Sequence, residues 1–161
     1  MRRAFVVPLM VFALAVPAST AAKYAGPRPP KPDVPYLLHA SRLVETEVTE
    51  AKEEKRKNET VYAVSGTDSP ARTPLAEPIF LLETQKLQAE RLELYKLELR
   101  NGRREAVFPE KKKRDAPRPI RLSVTRLDQN LYRLETTAGL ENGEYSLTPP
   151  GSNQVFCFQV Y

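Results

Sequence analysis

Ile120-Arg121-Leu122-Ser123-Val124-Thr125 decides the fold class, because its apolar and polar residues alternate with a period of two. Successive side chains of a strand point to opposite faces, so Ile120, Leu122 and Val124 line one side and the polar residues the other. Asp128-Gln129-Asn130 supplies turn residues, and Leu131 to Thr136 reads as the returning strand. Downstream, Glu144 to Thr148 and Val155 to Val160 are two more strands, separated by Pro149-Pro150-Gly151-Ser152-Asn153. Upstream, Asn101-Gly102 is a two-residue hairpin signal between Leu92–Leu99 and Arg103–Phe108, and Ile79–Leu82 is a short apolar run. The expected fold is mainly β, a sandwich of about seven strands at 69–161 with an N-terminal extension. Residues 79–100 lack Gly and Pro and would also suit a helix, but the hairpin signal favours strands. Within them, the change of apolar face at Leu94/Tyr95 predicts a bulge.

Leu140-Glu141-Asn142-Gly143-Glu144-Tyr145 has the form Leu-x-x-Gly-x-Tyr. It resembles the tyrosine corner of Greek-key sandwiches of the immunoglobulin and fibronectin III type, which implies a Greek-key, immunoglobulin-like β-sandwich. The resemblance implies a Tyr145 ring in the core, a hydroxyl bonded to backbone a few residues upstream, Leu140 over the ring and Gly143 in a tight bend. It is close over roughly the last twenty residues and loose over 79–161. The disulfide and core Trp of antibody domains have no counterpart, since the chain has one Cys and no Trp. The closing segment Phe156-Cys157-Phe158-Gln159-Val160 is also similar to those of uncharacterised exported bacterial proteins, a likeness that implies no chemistry.

The other end of the chain speaks to compartment. Arg2 and Arg3 precede an apolar run from Ala4 to Ala18, and small residues follow to Ala22. Residues 1–22 are therefore expected to be a signal peptide cleaved after Ala21 or Ala22. The run of about 15 apolar residues is short for a spanning helix, so the chain is not expected to be an integral membrane protein. Loss of the two arginines lowers the formal charge from +5 to +3. The mature chain is expected in the periplasm or outside the cell. Residues 23–35 form a Pro-rich leader, with five prolines between Ala25 and Pro35, expected to hold the fold away from the cleavage site. Residues 36–68 are expected to add short strands around a solvated charged stretch at 45–59. Asn58-Glu59-Thr60 is a glycosylation sequon that has meaning only in a eukaryotic secretory pathway.

Chemistry is sparsely signalled. One His and one Cys cannot build a His/Cys zinc site. No nucleophile elbow, phosphate loop or metalloprotease helix motif is present, and neither a cofactor nor a catalytic residue is expected. His39 is expected to be structural, and Cys157, between two phenylalanines, to be a buried small hydrophobe. Acid pairs such as Glu53/Glu54 keep a hydrolase as the rival class, though nothing near them in sequence would perturb a pKa. The expected role is binding or structural support, without a covalent step.

The run Arg103 to Arg121 is strongly basic. Lys111, Lys112, Lys113, Arg114 and Arg118 are the candidate contacts for an anionic glycan, polymer or lipid, or face solvent only. Nucleic acid is disfavoured by export and by the lack of stacking aromatics beyond Phe108. The partner could equally be a protein at the envelope. An aromatic sugar platform would call for Trp or clustered Tyr, which the sequence does not group. An outer-membrane barrel is suggested only by the terminal aromatic strand Phe156–Tyr161, and the short charged strands oppose it.

Overall fold

The computed structural model describes residues 23–111 and 116–161. It contains thirteen strands and one 3-10 turn, Ala89–Arg91, and no α-helix among the described residues. The expected signal peptide at 1–22 lies outside the described residues.

Five strands make one antiparallel sheet: β1 (Tyr36–His39), β2 (Arg42–Glu45), β7 (Ile79–Glu83), β10 (Leu122–Arg126) and β11 (Leu131–Thr136), in the order β10-β11-β7-β1-β2. The remaining strands are β3 (Glu47–Glu50), β4 (Lys52–Arg56), β5 (Glu59–Ser65), β6 (Arg72–Thr73), β8 (Glu93–Arg100), β9 (Arg103–Pro109), β12 (Gly143–Thr148) and β13 (Gln154–Val160). They pair in the order β3-β13-β12-β8-β9-β5-β4, with short β6 parallel to the end of β13. β3 and β4 are one continuous run of chain, joined through Ala51, whose N–H donates to the Asn153 carbonyl at 2.8 Å. The first and last members of the order are therefore the same segment. The sheet closes on itself as a barrel of six strands, which leaves it no free edge there.

Two cores follow from this arrangement. Between the five-stranded sheet and the barrel wall lie Leu37, Phe80, Leu82 and Leu134 from one side and Leu94, Tyr145, Leu147, Phe156 and Phe158 from the other. Phe158 meets Phe80 edge-on at 5.0 Å and stacks on Tyr145 at 5.5 Å. Inside the barrel sit Ala51, Val64, Leu97, Ala106, Val155 and Cys157. β8 and β13 thus bury both faces. That accounts for the run of apolar residues on each, as strands covered on both sides lose simple alternation.

Several expectations change. Seven strands do occupy the chain from Ile79 onward, but the described residues form thirteen, not about seven. Residues 36–68, the expected extension with short strands, supply β1 and β2 to the five-stranded sheet and β3 to β5 to the barrel. The charged stretch at 45–59 is mostly strand, bent into the barrel at buried Thr46, whose hydroxyl and N–H both bond the Pro35 carbonyl. No bulge occurs at Leu94/Tyr95: the register against β12 runs unbroken from Glu93↔Thr148 to Leu97↔Glu144, and the change of face reflects two cores. The Pro-rich leader is docked. Pro29 and Pro35 are buried, Arg28 pairs with Asp128, and Lys31 pairs with Glu45 at 2.8 Å. Asp33, at φ +59°, accepts the N–H groups of Gln85, Lys86 and Leu87.

The expected hairpin is present with both turn residues at positive φ, Asn101 at +52° and Gly102 at +72°, as a type I′ turn requires. His39 bonds the hydroxyl of buried Thr73 at 3.0 Å. Cys157 is fully buried, and desolvation pushes its thiol up to about 12 against the opposing pull of Arg104.

Candidate functional site: the mouth of the barrel

One end of the barrel is plugged by charge. Arg104 points inward from β9 with 1% exposure, and its guanidinium grips Glu47 with two bonds of 2.7 and 2.9 Å. It also donates to the carbonyls of Ser65 and Gly66 and lies 3.5 Å from Glu144. Glu144 accepts the Ser69 N–H at 3.1 Å, and burial holds its pKa above the usual carboxylate value despite the nearby cation. Among the described residues only one of its oxygens is partnered. A buried arginine needs such a set of acceptors, because an unpaired charge there would be very costly.

The other end is open. All six strands contribute to a cup of about 630 Å³, within the range of small-molecule sites. Its floor is Ala51, Val64, Leu97, Ala106 and Val155. Its wall carries three aromatic rings, with Phe108 set edge-on to Tyr62 at 5.7 Å and to Tyr95 at 5.5 Å. Ser146, 3% exposed, adds a hydroxyl 3.4 Å from that of Thr148. The rim consists of Glu53, Glu93, Glu110 and the Pro149–Asn153 turn.

Strand periodicity places the rim. Residues two apart share a face, so Glu93 lies one pleat beyond Tyr95, and Glu110 follows Phe108 by the same step. Glu53 is the register partner of Tyr62 across β4 and β5. The Tyr95 hydroxyl donates to Glu93 at 2.6 Å; burial and that carboxylate raise its pKa and keep it protonated. Glu54, one residue from Glu53, faces the opposite way and forms two bonds with Arg103, which hold its carboxyl below the usual range. The pair Glu53/Glu54 therefore does not share a site.

The residues singled out in the sequence lie elsewhere. Lys111 and Arg118 are exposed, and Lys112, Lys113 and Arg114 fall outside the described residues. Leu140, Gly143 and Tyr145 stand where the chain crosses from β11 in the flat sheet to β12 in the barrel. There the Tyr145 hydroxyl bonds the Glu141 carbonyl, and Gly143 has φ +154°, with room for a Cβ limited by Lys96 at 3.3 Å. The cup itself was not singled out. Its signal is faint: an aromatic two residues from a glutamate on β8 and again at the end of β9.

Among the described residues no cluster of three or more His, Cys, Asp and Glu could hold a metal ion, and no helix is long and apolar enough to cross a membrane. No protein-family model matches the chain, and neither does any curated protein or solved structure.

Proposed function

We propose that this chain is a non-enzymatic binding protein that takes an apolar group into the mouth of its barrel, exported to the envelope or beyond by residues 1–22. One observation carries the binding reading: six strands enclose a cup of about 630 Å³ with an apolar floor and an aromatic wall. A cavity of that size forgoes packing the fold would otherwise gain, which favours an occupant as its reason. Export rests on Arg2 and Arg3, the apolar run to Ala18 and the small residues to Ala22. The tyrosine-corner bond at the sheet-to-sheet crossing supports a Greek-key relationship to immunoglobulin-type sandwiches, with closure of the larger sheet as the departure.

The test is uptake of the neutral dye Nile red by the full chain. Fluorescence should rise saturably and should be lost in Ala106→Phe, which fills the floor, with the circular-dichroism spectrum unchanged. Equal uptake by that variant, or none by the original chain, overturns the reading. A second reading keeps the basic loop as a contact for anionic polymer or lipid, supported by the exposure of Lys111 and Arg118. Vesicles of anionic lipid that bind the chain at low salt, and fail to bind when both are changed to Ser, would favour it.

A further inference from the structure

The wall and rim of the cup are paired residue by residue. Tyr95 has Glu93 one pleat nearer the mouth, Phe108 has Glu110, and Tyr62 faces Glu53 across a strand pair. Glu93 and Glu110 thus stand one pleat beyond two of the rings and Glu53 stands level with the third, all above an apolar floor. The described lining holds no Lys or Arg. Lys55, on the same strand as Glu53, lies 3.8 Å from its carboxylate with four-fifths of its side chain in water. Among the described residues Glu93 accepts the neutral Tyr95 hydroxyl and has no cationic partner.

We propose that the occupant of the cup is an organic cation, a protonated or quaternary amine carried on an apolar body. This rests on the barrel mouth being a ligand seat. The apolar body removes floor surface from water, and the head sits at the level of the rings, where the negative faces of aromatic groups attract a cation. The three carboxylates offset the loss of hydration that the head suffers on entry, and they repel an anionic head of the same size. The Ser146 and Thr148 hydroxyls remain able to hydrogen-bond a polar substituent between head and body.

Three probes with one tail separate charge from apolarity: octyltrimethylammonium, octanol and octanoate, each below its micelle threshold, titrated into the full chain. Binding is read from the NMR signals of the Tyr62 and Tyr95 rings. The cation should bind roughly tenfold or more tighter than octanol, with octanoate weakest. The triple variant Glu53→Gln, Glu93→Gln, Glu110→Gln should bring the cation level with octanol and leave octanol unchanged. If octanol or octanoate binds as tightly as the cation to the original chain, the cation assignment is wrong while the mouth remains a ligand seat. If no probe moves either tyrosine, both fail together.

Discussion

The Tyr145 hydroxyl donates a 2.8 Å hydrogen bond to the carbonyl of Glu141, four residues upstream, while the ring stacks on Phe158. One side chain thereby fixes the turn that carries the chain between the two sheets and fills the core beneath it. Tyr145→Phe keeps the ring and removes only the bond, so it should cost about 1 kcal/mol. The urea midpoint should fall with the denaturant slope unchanged. An unmoved midpoint would mean the bond adds nothing to the fold.

Arg104 and Glu47 should behave as a unit. Glu47→Ala leaves the buried guanidinium with the weaker Glu144 contact and two carbonyls, and it should destabilise the protein by about 3 kcal/mol. Arg104→Met combined with Glu47→Leu removes both charges from the plugged end of the barrel. Its cost should fall well short of the sum of the single changes, by about 1–3 kcal/mol of coupling. Additive losses would contradict the pairing.

Glu144 sets a pH dependence of definite sign. Burial raises its folded pKa above the ordinary 4.5, so between those values the folded state holds a proton that the unfolded chain releases. For this group, stability is therefore greatest at acid pH and falls as pH rises from 4.5 through the folded value. Denaturation of Glu144→Gln over the same interval should lack that component. A wild-type minus variant difference that stays flat, or rises with pH, would refute the assignment.

Asp33 works in the other direction and ties down the leader. Desolvation opposes its ionisation, but the N–H groups of Leu87, Lys86 and Gln85 outweigh this and lower its pKa below 3.8. Its contribution is present above the unfolded value and is lost as pH falls through the folded one. Asp33→Ala should loosen residues 23–32, and limited proteolysis by chymotrypsin after Tyr24 should accelerate severalfold at neutral pH. Unchanged cleavage would show that buried Pro29 and Pro35 suffice to hold the segment.

What could be read from the sequence divides along physical lines. Leu122 and Val124 stand on a strand with one face to a core and one to water, so alternation was visible. The motif ending in Tyr145 was visible because it needs a glycine two residues before an aromatic. Leu94, Tyr95 and Leu97 hid their strand geometry, since β8 serves the sheet-to-sheet core with one face and the barrel with the other. Glu45 to Glu59 looked solvated because its inward side chains are Glu47, matched by Arg104 from 57 residues away, small Ala51, and Glu53 at the rim. No local pattern announces a strand whose buried charges are satisfied from a distant segment. The docking of the leader is hidden for a similar reason: proline favours extended chain whether that chain projects or docks. The cup was illegible because closure depends on the return of a single continuous segment to both ends of one sheet.

The central claim is that the barrel mouth receives an apolar group, and methyl NMR of the full chain tests it most directly. Octanol is titrated while the methyl signals of Ala51, Val64, Leu97, Ala106 and Val155 are followed beside those of Leu82 and Leu134 in the other core. The cup methyls should shift together and saturate at one affinity, with Leu82 and Leu134 unmoved. Shifts centred on the sheet-to-sheet core, or no saturable shift among the cup methyls, would contradict the account.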